Sequence, residues 1–164
     1  MAAEHFFDVV SKIDTQELSN ALDQVRKELV VRYDFRGIST EIKHEGDKLV
    51  ILTADEYKLK AVRDILESKL MRRGLDLKIL GEPKNEPASG GQIRSTVPLV
   101  SGISSDKTKL VNKLIREQFP KAKTVVQGDE MRVQSKSIDE LQAIMQLLKN
   151  SPQIDIPLQF TNYR

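Results

Sequence analysis

The chain has 164 residues, of which 39% are hydrophobic, 5% are aromatic and 30% are charged, and it contains neither cysteine nor tryptophan. The lack of cysteine excludes disulfide scaffolds, Cys-based zinc sites and thiolate nucleophiles, while the length suffices to bury a core without such cross-links. Because 26 Lys+Arg and 24 Asp+Glu are mixed along the chain, the formal net charge of +2 reflects no charged tail or uniform field that would demand nucleic acid.

An internal duplication organises the chain. Glu45-Gly46-Asp47 and Gln127-Gly128-Asp129 each lie between two alternating segments, and they are separated by half the chain length. The apolar residues that follow at helical spacing recur at the same offset, and the matched pairs are Leu59 with Leu141, Val62 with Ile144 and Leu66 with Leu148. The two halves are therefore expected to fold alike.

In the first half, apolar periodicity predicts a strand, a helix, a hairpin, a second helix and a further strand. Asp14, followed three residues later by Glu17, is a typical start for the first helix, and Thr53-Ala54-Asp55-Glu56 offers a capping box for the second. The predicted elements are a strand at 6–10, a helix from 14 to about 33, a hairpin of residues 38–42 and 49–53, a helix that ends at 72–74, and a strand at 75–80.

Residues 81–91 are rich in Pro and Gly, which predicts a linker between the halves. Beyond it the pattern repeats, with Ser105 and Ser137 at helix starts and with Pro120 and Pro152 at helix ends. The predicted elements are a strand at 93–100, a helix from 105 to 119, a hairpin of 123–127 and 131–134, a helix from 137 to 150, and a strand at 156–160. Each half has the order β-α-β-β-α-β, so we predict an α+β fold of tandem ferredoxin-like plaits with antiparallel sheets.

The two predicted sheets differ on the faces that their helices leave open. Residues 49–52 are apolar on both sides, which predicts that both faces of the first sheet are covered. Residues 131–134 alternate, so Arg132 and Gln134 lie opposite Met131 and Val133 and give the second sheet a wetter face. Neither central segment contains an aromatic residue, and the stacking signature of RNA-recognition motifs is absent.

No sequence signature of catalysis is present. The chain lacks Gly-x-x-x-x-Gly-Lys, a strand followed by Gly-x-Gly-x-x-Gly, Gly-x-Ser-x-Gly and His-Glu-x-x-His. His5 and His44 stand apart in sequence and are interpreted as surface residues, and the acidic pair Asp55-Glu56 fits the first turn of a helix. We therefore predict that the protein is not an enzyme and that it needs no metal or cofactor.

Six residues are candidates for binding a base and its phosphates. Aromatic residues lie beside arginines in 32–37, two arginines end the second helix, and consecutive small residues in 88–91 expose backbone N–H groups to an anion. The candidates are Phe35, Arg36, Arg72, Arg73, Ser89 and Arg94. If they converge where the two helices meet the linker, the arginines and the serine form an anion pocket with Phe35 available for stacking.

A second interpretation assigns these residues structural roles. Phe35 can be a core residue, Arg72 and Arg73 can complement the C-terminal dipole of a helix, and residues 86–91 can be a flexible linker. The spacing alone leaves both interpretations open.

Several segments, taken in order, resemble the bacterial YajQ family over nearly the whole chain. They are Phe7-Asp8-Val9-Val10-Ser11, Arg32-Tyr33-Asp34-Phe35-Arg36-Gly37, Leu52-Thr53-Ala54-Asp55, Arg72-Arg73-Gly74-Leu75-Asp76, Glu86-Pro87-Ala88-Ser89-Gly90-Gly91, Gln127-Gly128-Asp129-Glu130-Met131-Arg132-Val133 and Pro157-Leu158-Gln159-Phe160. The resemblance implies two ferredoxin-like domains with RNA-recognition-type topology whose N-terminal strands are exchanged. The first domain would comprise residues 11–103, including the strand at 93–100, and the second would comprise residues 1–10 with 104–164.

The resemblance also implies a function. Members of this family bind nucleotides, and cyclic di-GMP signalling is attached to some of them and RNA or GTP association to others. We therefore expect a non-enzymatic regulator that responds to cyclic di-GMP or GTP, with an RNA-binding module as the alternative and with RNA or a protein effector as further partners. No apolar run approaches the roughly 20 residues that span a bilayer, and the N-terminus lacks signal-peptide regions, so we predict a cytoplasmic protein with no membrane partner.

Overall fold

The computed structural model describes residues 4–164, which form two four-stranded antiparallel sheets and four α-helices. The strands are β1 (His5–Val10), β2 (Glu41–Glu45), β3 (Lys48–Thr53), β4 (Lys84–Pro87), β5 (Ile93–Pro98), β6 (Lys123–Gln127), β7 (Glu130–Ser135) and β8 (Gln159–Thr161). The helices are α1 (Thr15–Val31), α2 (Glu56–Arg72), α3 (Ser105–Gln118) and α4 (Ile138–Asn150). Short 3-10 helices occupy Tyr33–Phe35, Leu77–Ile79 and Ser89–Gly91. The predicted α+β class with two ferredoxin-like domains is confirmed.

Strand pairing divides the chain into two units. The first sheet has the order β2-β3-β5-β4 and belongs to residues 13–100, and the second has the order β6-β7-β1-β8 and belongs to the residues up to 12 together with 101–164. None of the helices between residues 4 and 164 is long and apolar enough to cross a membrane.

The first strand of the chain therefore pairs far from its sequence neighbours. β1 lies between β7 and β8, while β5 takes the corresponding position between β3 and β4. On this pairing we propose the domains that the resemblance implies, residues 11–103 and residues 1–10 with 104–164. Residues 1–3 of the second domain lie outside the described residues.

In the unit of residues 13–100, α1 and α2 pack one apolar stripe each against the first sheet. Asp14 caps α1 by accepting the N–H of Glu17 at 3.1 Å, as the sequence predicts. The buried stripes are Leu18, Leu22, Val25 and Leu29 on α1 and Leu59, Val62 and Leu66 on α2, and they meet Leu49, Ile51 and Val97 of the sheet. Burying one such side chain contributes about 1.5–3 kcal/mol.

The start of α2 differs from the prediction. Its N-cap is Asp55, which accepts the N–H of Lys58 at 2.8 Å, whereas Thr53 is the buried last residue of β3. Because side chains alternate along a strand, Thr53 shares the core face with Leu49 and Ile51. Its hydroxyl lies 2.9 Å from the Thr40 hydroxyl, so the buried polar group is paired and cannot cap the helix.

The strand predicted at 75–80 and the linker predicted at 81–91 are also corrected. Residues 77–79 form a 3-10 turn that buries Ile79, and the fourth strand is β4, inside the supposed linker. β4 pairs with β5 from Lys84 opposite Thr96 to Pro87 opposite Ile93. All its residues are exposed because it lies at the edge of the sheet, where polar residues and a proline are tolerated.

Three smaller predictions have mixed outcomes. The hairpin strand begins at Glu41 rather than near 38, and the last strand is Gln159–Thr161 rather than 156–160, with Ile156 buried in the preceding loop. Val50 and Leu52 are half-buried, so the outer face of the first sheet is partly covered.

The other unit packs α3 and α4 against the second sheet in the same way. Ser104 and Ser137 cap the two helices, the second as predicted. The core consists of Phe7 and Val9 from β1, Met131 and Val133 from β7, Val111 and Ile115 from α3, and Leu141 and Ile144 from α4. β7 alternates between half-buried and buried residues, which confirms that Arg132 and Gln134 lie on the face opposite the core.

We expect the pairing of β1 with β7 and β8 to decide which fragments fold. A fragment of residues 13–100 contains all four strands of the first sheet and should unfold cooperatively in urea when followed by circular dichroism. A fragment of residues 1–90 lacks β5, the strand between β3 and β4, and leaves an apolar edge unpaired. Native-like cooperative unfolding of the 1–90 fragment would contradict this prediction.

Candidate functional site

The predicted arginines lie at opposite ends of the α1–α2 pair. At one end, the Lys58 ammonium donates to the Asp34 carbonyl just beyond α1, next to Arg36. At the other end, Arg73 follows α2 and pairs with Glu17 in the first turn of α1 at 3.8 Å. The 17 residues of α2 span about 25 Å, so Arg36 does not share a pocket with Arg73 or its neighbour Arg72.

Phe35 is a core residue. It is 4% exposed, and the cationic groups of Arg32 and Lys58 lie 5.8 and 5.3 Å from its ring centroid. The ring has no free face for a base, so the second interpretation of Phe35 describes its position. The accessible aromatic in this segment is Tyr33, which is 85% exposed and lies 5.9 Å from the Arg36 guanidinium.

Ser89 and Arg94 lie at the Arg36 end of the unit, beside acidic groups. Residues 89–91 form a tight turn between β4 and β5, in which Gly90 and Gly91 have a φ of 75° that only glycine adopts readily. A neighbouring cavity of about 360 Å³ is lined by Ala54, Asp55, Glu56, Asn85, Glu86, Pro87, Gly91, Gln92 and Ile93. Its carboxylates disfavour a phosphate there, and the register places Glu86 directly opposite Arg94.

The open face of the second sheet carries a group of residues that is not among the six candidates. On its central strand β1, Phe6 is paired with Gln134, and Gln134 is paired with Lys123. Asp8 is paired with Arg132 in the same way. Paired residues of antiparallel strands point to the same face, which here is the face opposite the core.

Asp8 is buried on this face and is held by hydrogen bonds from two neighbouring side chains. Asp8 is 1% exposed, and its carboxylate accepts hydrogen bonds from three N–H groups: Arg132 Nε at 2.8 Å, Arg132 Nη2 at 3.2 Å and Asn162 Nδ2 at 2.8 Å. The hydrogen bonds from Arg132 hold the pKa of Asp8 below its usual value although burial acts in the opposite direction. Asp8 is therefore a buried, charged and well-partnered group.

This carboxylate holds the Arg132 guanidinium over the Phe6 ring. The guanidinium carbon lies 4.1 Å from the ring centroid, within the range of a stacked cation–π contact. The Arg132 side chain remains 28% exposed, so solvent reaches part of it. We call Phe6, Asp8, Arg132 and Asn162 the sheet-face site.

A bulge beside β8 completes the site. Asn162 has a φ of 54°, the one positive φ of a non-glycine residue between residues 4 and 164. This left-handed residue shifts the pairing by one position, so that Arg164 exchanges two backbone hydrogen bonds of 3.1 and 2.9 Å with Phe6. Arg164 therefore flanks Phe6 on the open face.

A cavity of about 460 Å³ adjoins the row of Phe6, Gln134 and Lys123, and we call it the lysine cavity. It is lined by Glu4, Lys121, Lys123, Gln134, Ser135, Lys136, Ser137 and Glu140. Three ammonium groups and two carboxylates thus line one small volume beside the Phe6 ring and the Arg132 guanidinium. This arrangement suits a ligand that has both a planar base and phosphate groups.

Comparison with known proteins identifies the family. Residues 5–164 match the family described as nucleotide-binding protein YajQ-like. The chain belongs to this family. Relatives named "Nucleotide-binding protein" include those of Roseiflexus castenholzii, 47% identical over 165 residues, and Thermobifida fusca, 47% identical over 166 residues, each with 100% of both chains covered. The relative from Geotalea uraniireducens is 44% identical over 158 residues, which cover 96% of this chain and 98% of the relative.

The sheet-face site could have been found in the sequence of β1. Phe6 to Val10 contains one acidic residue in an otherwise apolar strand, and such a residue needs a cationic partner when it is buried. The central strands β3 and β7 contain no aromatic residue, whereas β1 contains Phe6. The partner itself was not predictable by spacing, because Asp8 and Arg132 are 124 residues apart.

We expect Asp8→Ala to destabilise the protein in a pH-dependent way. Removing one partner of a buried ion pair costs about 3 kcal/mol. Because the native pKa of Asp8 is lowered, this stabilisation is present above the unfolded pKa and is lost as the pH falls through the native value. Urea unfolding of the full chain at pH 7 and pH 2.5 measures the difference, which should shrink at the lower pH. An equal difference at both values would contradict the assigned charge on Asp8.

Proposed function

We propose that the protein is a non-enzymatic nucleotide-binding regulator that responds to cyclic di-GMP or GTP and binds the nucleotide at the sheet-face site. The family to which the chain belongs, and the relatives that carry the name "Nucleotide-binding protein", support nucleotide binding. A regulator of this kind acts by binding a protein effector when its ligand is bound, and we propose such an effector as a partner.

The observation that carries this proposal is the Arg132 guanidinium fixed over Phe6. A planar cation that is already held in place stacks against a base without first losing side-chain freedom. Asp8 and Asn162 supply that restraint through three hydrogen bonds. The base would therefore lie on the accessible face of Arg132, with Phe6 beneath.

A non-enzymatic role fits the hydrogen bonding of the Asp8 carboxylate in this site. The three N–H donors around Asp8 stabilise its ionised form and commit it to positioning Arg132. A general base needs a free lone pair within reach of the proton that it removes. Asp8 is therefore proposed as a positioning group for Arg132.

A second candidate function is RNA binding, and one observation favours it. Phe6 lies on the central strand β1 of an open sheet face, and Lys123 and Arg164 flank it in the same row. RNA-recognition plaits use aromatic residues on central strands in this way. A central-strand aromatic residue is therefore present on β1, although β3 and β7 have none.

We expect Arg132→Lys to weaken nucleotide binding about tenfold, because lysine keeps the charge but loses the plane that stacks and the fork that Asp8 holds. Isothermal titration calorimetry with GTP and cyclic di-GMP measures the affinity. Arg116→Lys is the matched control, because Arg116 lies exposed on α3 of the same unit. Arg36→Ala and Arg73→Ala test the patch predicted from sequence. Full affinity in Arg132→Lys would refute the sheet-face site.

Salt dependence separates the two candidate functions. A single-stranded RNA that neutralises several cations should lose affinity steeply between 50 and 200 mM salt, whereas a single nucleotide responds much less. We expect the shallow dependence for nucleotides and no tight RNA complex at 150 mM salt. A steep dependence together with nanomolar RNA affinity would favour the second candidate.

A further inference from the structure

We propose that the lysine cavity is the phosphate subsite of the sheet-face site and that it takes the linear polyphosphate of a nucleoside 5′-diphosphate or triphosphate. This inference rests on the proposed function, because it extends the same site. The ligand class follows from the charged groups around the row of Phe6, Gln134 and Lys123.

The row of paired residues gives the distance from Phe6 to Lys123 across the sheet. Phe6, Gln134 and Lys123 lie side by side on β1, β7 and β6. Adjacent strands are about 4.8 Å apart, so Lys123 lies about 10 Å from Phe6 across the sheet. A base over Arg132 and Phe6 places the ribose and first phosphate over Gln134, whose amide can donate to them, and the following phosphates over Lys123.

The positive charge of the cavity comes from lysines and not from the start of α4. The N–H groups of Ser137 and Glu140 already donate to the hydroxyls of Ser135 and Ser137, at 3.1 and 3.2 Å. Among residues 4–164, neither Lys121 nor Lys136 forms an ion pair. Two ammonium groups of the cavity are thus free to pair with phosphate oxygens.

The two carboxylates of the cavity have distinguishable roles. Glu140 accepts a hydrogen bond from the Ser135 hydroxyl at 3.0 Å and lies in the first turn of α4, where negative charge is stabilising. Glu4 pairs with Lys123 at 3.5 Å, and the Glu4 side chain is 37% exposed. A phosphate chain that reaches Lys123 must displace Glu4, so Glu4 is a competitor for the subsite.

The charge distribution favours a linear polyphosphate over a cyclic dinucleotide. The phosphates of a cyclic dinucleotide are diesters with one charge each, held apart by the ring, and they present no terminal phosphate. A triphosphate concentrates several charges along a single chain that leads away from the base. The three lysines are likewise gathered at one side of the Phe6 platform.

The test compares guanosine mono-, di- and triphosphate with cyclic di-GMP by isothermal titration calorimetry on the full chain. The wild type should bind more tightly with each added phosphate, by roughly tenfold from monophosphate to triphosphate. The double variant Lys121→Gln/Lys136→Gln should lose this gain while its monophosphate affinity changes less than about twofold. Lys113→Gln, an exposed position on α3, is the matched control and should keep the gain.

Glu4→Gln gives a result of opposite sign. It removes the competitor at Lys123, so triphosphate affinity should rise about threefold while monophosphate affinity stays unchanged. Inorganic tripolyphosphate, which lacks a base, should bind the wild type weakly and fail to bind the double lysine variant. Circular dichroism verifies that each variant is folded.

The possible failures are distinguishable. If the wild type binds mono- and triphosphate equally, or prefers cyclic di-GMP, the polyphosphate subsite is refuted and the proposed function stands. If the wild type binds no nucleotide, the proposed function itself fails. If a single-stranded RNA binds with a steep salt dependence while free triphosphates do not bind, the ligand is RNA and the subsite is refuted as well.

Discussion

The position of β1 at the centre of the second sheet is the constraint on which the rest of this unit depends. Asp8 enters the sheet with β1 and meets Arg132 on β7, and the buried Asp8 carboxylate accepts two hydrogen bonds from the partly exposed guanidinium. A charged pair between adjacent central strands tolerates little slippage, because a shift by one residue turns every side chain to the other face. The ion pair therefore fixes the register that places Phe6 beneath the guanidinium and in one row with Lys123.

Asn162, which follows β8, also stabilises the Asp8 carboxylate. This residue adopts a left-handed backbone conformation and donates its side-chain amide to Asp8. Glycine would accept the conformation but lacks the donor, and aspartate would bring a second negative charge to a buried carboxylate. Asparagine satisfies both requirements, so the bulge and the electrostatics of the site are specified by a single side chain.

Much of the fold followed from local patterns in the sequence. Helix starts at Asp14 and Ser137 and the alternation of β7 depend on neighbouring residues, so spacing identified them. The edge strand β4 was missed because an exposed edge needs no apolar residues, and Thr53 was mistaken for a cap because its partner, Thr40, lies on a different segment. The sheet-face site was missed for a related reason. Its members become neighbours only through pairing between distant strands, which local spacing does not encode.

The pairing of β1 also has a consequence for synthesis on the ribosome. β1 leaves the ribosome well before its partners β7 and β8, and Asp8 pairs with a residue that is made 124 positions later. Residues 13–100 contain a complete sheet and can fold in the interval, since domains generally fold as units in the order of their synthesis. During that time β1 is an apolar strand without partners, a typical starting point for aggregation. Its single aspartate keeps a negative charge within the most hydrophobic part of the strand until Arg132 arrives.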